Sequence, residues 1–350
     1  MNQKLKEASV TSSLKLSNIS IIDSARVPSR PASPNVRRNC TLAVMVGLVL
    51  GIALAFTLDS MDNAVRTPEE VEESSGMPTL GTIPLSVEKK LLQPSAKGNT
   101  ALVRSRNTSS LISMARPRSK VAEAYRALRS SILLSRAGEP PKVLMMTSAL
   151  PEEGKTTTSI NTAIVLAQSG AKVLLVDADM RRASVHHVFG LSNRSGLSTL
   201  LAGAQSASEA ITVVPEIPEL SVVTAGPPPP NPAELLASPL MRDVLAQWRT
   251  EFQFIVIDTP PVLSVTDAVS LSPEVDRVLL VVRSGQTTKH ALRRARALFA
   301  QLRINIMGTV VNAVDLSSVG YGYHYSHSYD GEYFDESTVE AHETHAETVS

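Results

Sequence analysis

The chain of 350 residues contains one cysteine, Cys40, which excludes a disulfide framework and any zinc site built on cysteine. Its seven histidines show no ligand spacing: His186 and His187 are adjacent, and four of the others lie in a polar tail. Aromatic residues are also scarce, at six Tyr, six Phe and one Trp, so the core must be built from Val, Leu, Ile and Ala, as buried parallel sheets usually are. What is present suffices for a full-sized core. At 43% hydrophobic and 19% charged, the chain is neither disordered nor fibrous, and its net charge of +1 carries no information about partners until it is mapped along the sequence.

Mapped in that way, the chain is uneven. Residues 1–40 are polar and Pro-rich, with Pro28, Pro31 and Pro34 spaced every third residue. Thr41 to Leu58 then run for 18 residues without a charge, the length and composition of a transmembrane helix; a soluble core helix would show a polar face, and a signal peptide would begin nearer the N-terminus. Residues 59–119 read as a juxtamembrane segment and basic linker. Gly76 to Ser86 has the turn residues of a connector, and residues 87–120 hold eight Lys or Arg against Glu88 alone.

From residue 120 to 315, short aliphatic runs alternate with helical stretches. The runs at 142–148, 172–179, 220–226, 252–261, 277–285 and 304–314 are Val/Leu/Ile-rich without alternation, as strands buried on both faces are. Strand-helix-strand order predicts an α/β fold of the P-loop NTPase kind. Its mostly parallel central sheet of six or more strands is flanked by helices, with ligands at the carboxyl ends of the strands.

The chemistry falls at those ends. After the first run comes Ala149 to Thr156, ending Gly154-Lys155-Thr156, a loose P-loop with Ala in place of the first Gly. Loop and helix N–H groups would cradle a polyphosphate, Lys155 would reach its β- and γ-phosphates, and the Thr156 hydroxyl would join Mg²⁺. Asp258 ends a later run in the position of a Walker B Asp. Asp177 and Asp179 end another, one expected to help hold metal and the other to accept a proton, with the division between them open. An acceptor is suggested by Tyr321, Tyr323, Tyr325, Tyr329 and Tyr333, in a tail (316–350) without Lys or Arg that reads as disordered.

Taken together, these features resemble the bacterial tyrosine kinases (BY-kinases), autokinases that accompany capsule and exopolysaccharide export. The matching motifs are a Walker A loop from Ser148 to Lys155, a Walker A′ box from Leu174 to Arg181, Walker B from Ile255 to Asp258, and the tyrosine cluster. Glu123, Arg126 and Arg129 match the family's E-x2-R-x2-R motif, which implies a subunit interface. The resemblance implies ATP and Mg²⁺ as cofactors. Glu153, Gly154, Lys155, Thr156, Thr157, Arg181 and Asn312 would surround the nucleotide, with Asn312 on the adenine base. Thr156, Asp177 and Asp258 would hold the metal, and Asp179 would take the phenolic proton. It also implies a homo-oligomeric ring in which one subunit's tail enters its neighbour's site. Further implied partners are a polysaccharide polymerase and export machinery, a cognate protein-tyrosine phosphatase and the membrane, with no nucleic acid.

Residues 1–84, with their Pro-rich stretch and span, resemble the last part of the chain-length-determinant (polysaccharide co-polymerase) module. Relatives carrying that module in one chain have two spans; only one is present here, so a truncated or split system is expected. Arginines before the span and acidic residues after it favour a cytoplasmic N-terminus, whereas ATP chemistry requires residues 59–350 inside. The expected location is the bacterial inner membrane, single-pass, with a cytoplasmic kinase domain. The rival reading is a MinD/ParA-type switch ATPase, whose P-loop carries a second lysine five positions before the catalytic one; here that position is Leu150. A non-catalytic scaffold is the third reading.

Overall fold

The computed structural model describes residues 34–61, 63–85, 111–135 and 140–315. The tyrosine cluster at 321–333 and most of the basic linker lie outside them. The chain divides into two compact units, one ending at Asp62 and the other beginning at Asn63.

In the first unit, helix α1 (Val36–Met61) contains a 22-residue stretch, Val36–Thr57, long and apolar enough to cross a membrane. At ~1.5 Å per residue it extends about 33 Å, the thickness of a bilayer's hydrocarbon core. None of its described side chains is buried, and Leu42, Val49, Leu50 and Phe56 all face outward.

The second unit is built around one eight-stranded sheet. After helix α2 (Pro68–Ser75) come β1 (Thr79–Pro84), α3 (Lys120–Leu134), β2 (Val143–Ser148), α4 (Lys155–Ala167) and β3 (Val173–Asp177). They are followed by β4 (Thr212–Val214), β5 (Ile217–Val223), α5 (Pro239–Glu251), β6 (Phe254–Asp258), β7 (Arg277–Arg283), α6 (Lys289–Gln301) and β8 (Ile306–Val314), with shorter helical turns between. The order across the sheet is β1-β8-β7-β2-β6-β3-β5-β4, parallel throughout except for the β4–β5 edge pair. The strand order reverses around β2, which lies between β7 and β6, so a crevice opens at its carboxyl end.

All six expected strands are present. Two more extend the sheet: β4, only three residues long, and β1, in the stretch read as a connector. The connector reading failed because Pro78, Gly81 and Pro84 look like turn residues. Gly81 instead packs closely on α3, where a Cβ would meet the Leu128 side chain at 3.2 Å. Successive strand residues serve opposite faces. Val143 and Met145 pack with Trp248, Leu292 and Phe299, whereas Leu144 and Met146 pack with Tyr125, Leu128 and Ile164.

Caps set the helix starts. Thr67, Ser119, Ser238 and Thr288 each accept a backbone N–H from the first turn of α2, α3, α5 and α6, respectively. α4 has no side-chain cap: its N-cap is Gly154, φ +90°, and its first residues line the crevice, where a helix N-terminus favours an anion.

Candidate active site

The loop between β2 and α4 turns through two left-handed residues, Glu152 (φ +65°) and Gly154 (φ +90°). Three side chains distant in sequence hold that turn. Arg283 donates to the Glu152 carbonyl at 2.9 Å, Asn312 Nδ2 donates to the Glu153 carbonyl at 3.1 Å, and Thr287 donates to the Glu153 carboxylate. The other Glu153 carboxylate oxygen accepts the Leu150 N–H at 2.9 Å, closing the loop on itself. Burial pushes the Glu153 carboxyl up to about 7 although these donors favour its ionised form.

At the mouth of the loop, Lys155 Nζ lies 2.7 Å from Asp179 Oδ2 and 3.7 Å from Asp258 Oδ2. The Thr156 hydroxyl donates to Asp258 at 2.6 Å, and Ser159, one helical turn on, donates to its second oxygen at 3.2 Å. Burial alone would lower the Lys155 pKa, but Asp258 and Asp179 outweigh it and the ammonium is held above its ordinary range. For Asp258 burial dominates, raising its pKa more than Lys155 and Thr156 lower it. Asp179 and Asp258 set two carboxylates against one lysine, an arrangement that a divalent cation would relieve. No group of three or more metal-ligating side chains forms a protein-only cage among the described residues. Thr156 and Asp258, in contact at 2.6 Å, offer the one or two protein oxygens that Mg²⁺ takes while keeping most of its waters.

A cavity of about 450 Å³ opens here, lined by Gly154, Lys155, Thr156, Thr157, Asp179 and Arg181, with Pro260 and Pro261 on its far wall. Arg181 is fixed by a two-pronged contact with Asp267, at 2.8 and 3.0 Å, whose carboxylate is fully buried. A larger cavity of about 880 Å³ lies at the amino ends of β2, β7 and β8, around Lys142, Asp276 and Asn305, the end of the sheet opposite to the phosphate loop.

Several expected residues sit differently. Asp177 does not line the cavity: its carboxylate accepts the N–H groups of Asp179, Ser184 and Val185 at 3.1–3.2 Å, and burial pushes it up to about 8. Of the two Asp residues, only Asp179 faces the site. Asn312, expected at the adenine base, uses both ends of its amide on backbone, accepting from Ala313 N–H at 2.9 Å as well as donating to the loop. Glu153 is buried beneath the loop and supports it. On α3, Glu123 and Arg126 pair with each other, while Arg129 donates to the Val165 carbonyl of α4 at 2.9 Å. Arg283, Thr287, Asp267 and Ser159 were missed. Only Ser159 carried a sequence signal, lying one helical turn after Lys155 on the face toward Asp258.

Phosphate-binding loop, strand-end carboxylates and parallel sheet define a P-loop nucleotide-binding α/β protein. An AAA domain family model matches residues 152–306, and a second, a G-rich domain on tyrosine kinases, matches residues 1–60. The tyrosine-protein kinase YwqD of Bacillus subtilis is 39% identical over 221 residues, 63% of this chain and 93% of that protein. The tyrosine-protein kinase Etk of Escherichia coli K12 is 33% identical over 323 residues, 91% of this chain. The solved kinase domain of Escherichia coli ETK superposes with a TM-score of 0.65 at 34% identity, covering 73% of this chain and 96% of that one. The chain belongs to the bacterial tyrosine-kinase family. It spans 40–44% of the length of the first curated relatives it matches.

Proposed function

We propose that the chain is an ATP-dependent protein-tyrosine autokinase that phosphorylates its C-terminal tyrosines. One observation carries this reading: in a chain of this family, Lys155 stands between Asp179 and Asp258 at the head of a helix that has no side-chain cap and whose first residues line the same cavity. In this reading α4 and the loop receive the polyphosphate, and Lys155 follows the γ-phosphoryl charge as it develops. Thr156 and Asp258 would hold Mg²⁺, which would supply further charge neutralisation to the polyphosphate. Asp179 takes the phenolic proton while the tyrosine oxygen bonds to the γ-phosphorus and the bond to the β-γ bridging oxygen breaks, releasing ADP. Asp177 shapes the Asp179 loop, and Asn312 and Glu153 shape the phosphate loop.

The acceptors are Tyr321, Tyr323, Tyr325, Tyr329 and Tyr333, presented by a neighbouring subunit in a ring that α3 would join through Glu123, Arg126 and Arg129. α1 anchors the kinase unit at the cytoplasmic face of the bacterial inner membrane. The G-rich domain match supports work beside a polysaccharide co-polymerase; the reading adds export machinery and a phosphatase to reset the tail. Added phosphates make an already acidic tail a poorer guest in the site and drive tails apart.

The discriminating experiment follows labelled ATP and Mg²⁺ with the whole chain. Label retained on the protein, and absent from Lys155→Met, supports the kinase. Label released only as free phosphate identifies a switch ATPase instead.

A further inference from the structure

Helix α6 carries a surface that the proposed activity does not use. Residues 289–303 contain Lys289, Arg293, Arg294, Arg296 and Arg303 and no acidic residue. Its inner face, Ala291, Leu292, Ala295 and Phe299, is buried on the sheet, so the amphipathic pattern throws Arg293, Arg294, Arg296 and the apolar Ala297 outward into exposed positions. Among the described residues, no carboxylate lies within ion-pair distance of any of these five cations. The glutamates of α2, which neighbours α6 where Arg296 lies over Gly76, do not supply one. Glu70 and Glu72 are tied to the backbone N–H groups of Arg66 and Thr79, at 2.8 and 2.7 Å.

The start of α6 is also tethered. The Lys289 N–H donates to the Asn63 carbonyl at 2.8 Å, Ala64 and Thr288 form an antiparallel bridge, and Val65 exchanges hydrogen bonds with Thr287 and Gly285. Asn63 follows the last residue of the candidate span, Thr57, by six positions. At most ~3.5 Å per residue, the six positions from Thr57 to Asn63 can span no more than about 21 Å of chain.

We propose that the outward face of α6 docks on an anionic membrane surface, binding lipid phosphate headgroups beside the chain's own span. The proposal rests on the reading of α1 as that span. Unpaired arginines held this close to a bilayer meet the negative potential of an acidic leaflet within a Debye length or two, where each basic residue is attracted. Docking would fix the orientation of the kinase unit on the membrane.

The test uses the whole chain in lipid nanodiscs, with Cys40→Ser and Ala297→Cys carrying an environment-sensitive fluorophore, and a headgroup-nitroxide lipid as quencher. Quenching is expected to be about twofold stronger with phosphatidylglycerol than with phosphatidylcholine alone, and to be lost in high salt and in Arg293→Glu/Arg294→Glu. Equal quenching in both lipids, or quenching indifferent to charge reversal, would overturn the proposal. So would a label shielded in both lipids and uncovered by deleting residues 316–350, which would make the acidic tail the occupant. A chain that never enters the discs would overturn both the span reading and the proposal built on it.

Discussion

The side-chain amide of Asn312 overlies Gly154 so closely that a Cβ built there would meet Nδ2 at 2.0 Å. The last strand of the sheet thus presses on the one residue whose left-handed conformation starts the nucleotide-binding helix. Gly154→Ala should cost ~1–2 kcal/mol from backbone conformation alone, with the clash added, and weaken nucleotide binding by tenfold or more. Combining it with Asn312→Ala removes the clash but not the backbone cost. Isothermal titration with a nucleotide analogue should therefore show partial recovery in the double variant; no recovery would mean the contact does not matter.

Asp179 and Asp177 separate by what they touch. Asp179→Asn removes the proton acceptor and should lower kcat by ~10²–10⁴-fold with nucleotide affinity little changed. Asp177→Ala strips three backbone N–H groups of their acceptor and should lower the melting temperature, since buried unpaired donors cost ~1–3 kcal/mol each. Single-turnover kinetics and thermal unfolding of the two variants should show these opposite patterns.

Asp267 does not line the cavity around Lys155, yet it sets Arg181. Its buried carboxylate receives both Nε and Nη2, a fork that lysine cannot reproduce. Asp267→Asn should reduce kcat roughly tenfold by freeing the guanidinium at the cavity mouth, and Arg181→Lys should not retain wild-type turnover. Wild-type kinetics in both variants would remove Arg181 from the site.

The nucleotide-free protein should lose stability as pH rises. Burial holds Glu153 at about 7 and Asp177 at about 8, so the folded chain binds more protons than the unfolded one across the interval above the ordinary carboxylate range. This stabilisation is complete at acid pH and is lost as pH passes through those values, with a slope of up to ~1.4 kcal/mol per pH unit per group. Melting temperature should fall between pH 5 and 8, and less steeply in Glu153→Gln. A rise over that interval would contradict the assignment.

How much of this was legible in the sequence depended on locality. β2, β3, β6, β7 and β8 are buried on both faces and announce themselves as aliphatic runs. Lys155, Thr156, Asp179 and Asp258 come at their ends, where parallel sheets place ligands. β1 was hidden because an edge strand needs no such run and because Gly81 answers to Leu128, far along the chain. The supports of the site were hidden for the same reason. Thr287 reaches Glu153 across 134 positions and Asp267 reaches Arg181 across 86, distances over which no spacing rule operates. Asp177 and Asp179 share one motif, and only the turn after β3 decides which of them faces the cavity.

Mapping phosphate on the chain by mass spectrometry, after incubating the whole protein with ATP and Mg²⁺, tests the central claim most directly. The account predicts phosphotyrosine at residues between 321 and 333, and none in Lys155→Met or in a variant with all five tyrosines changed to Phe. ATP turnover with that segment unmodified, or equal label in Lys155→Met, would contradict it.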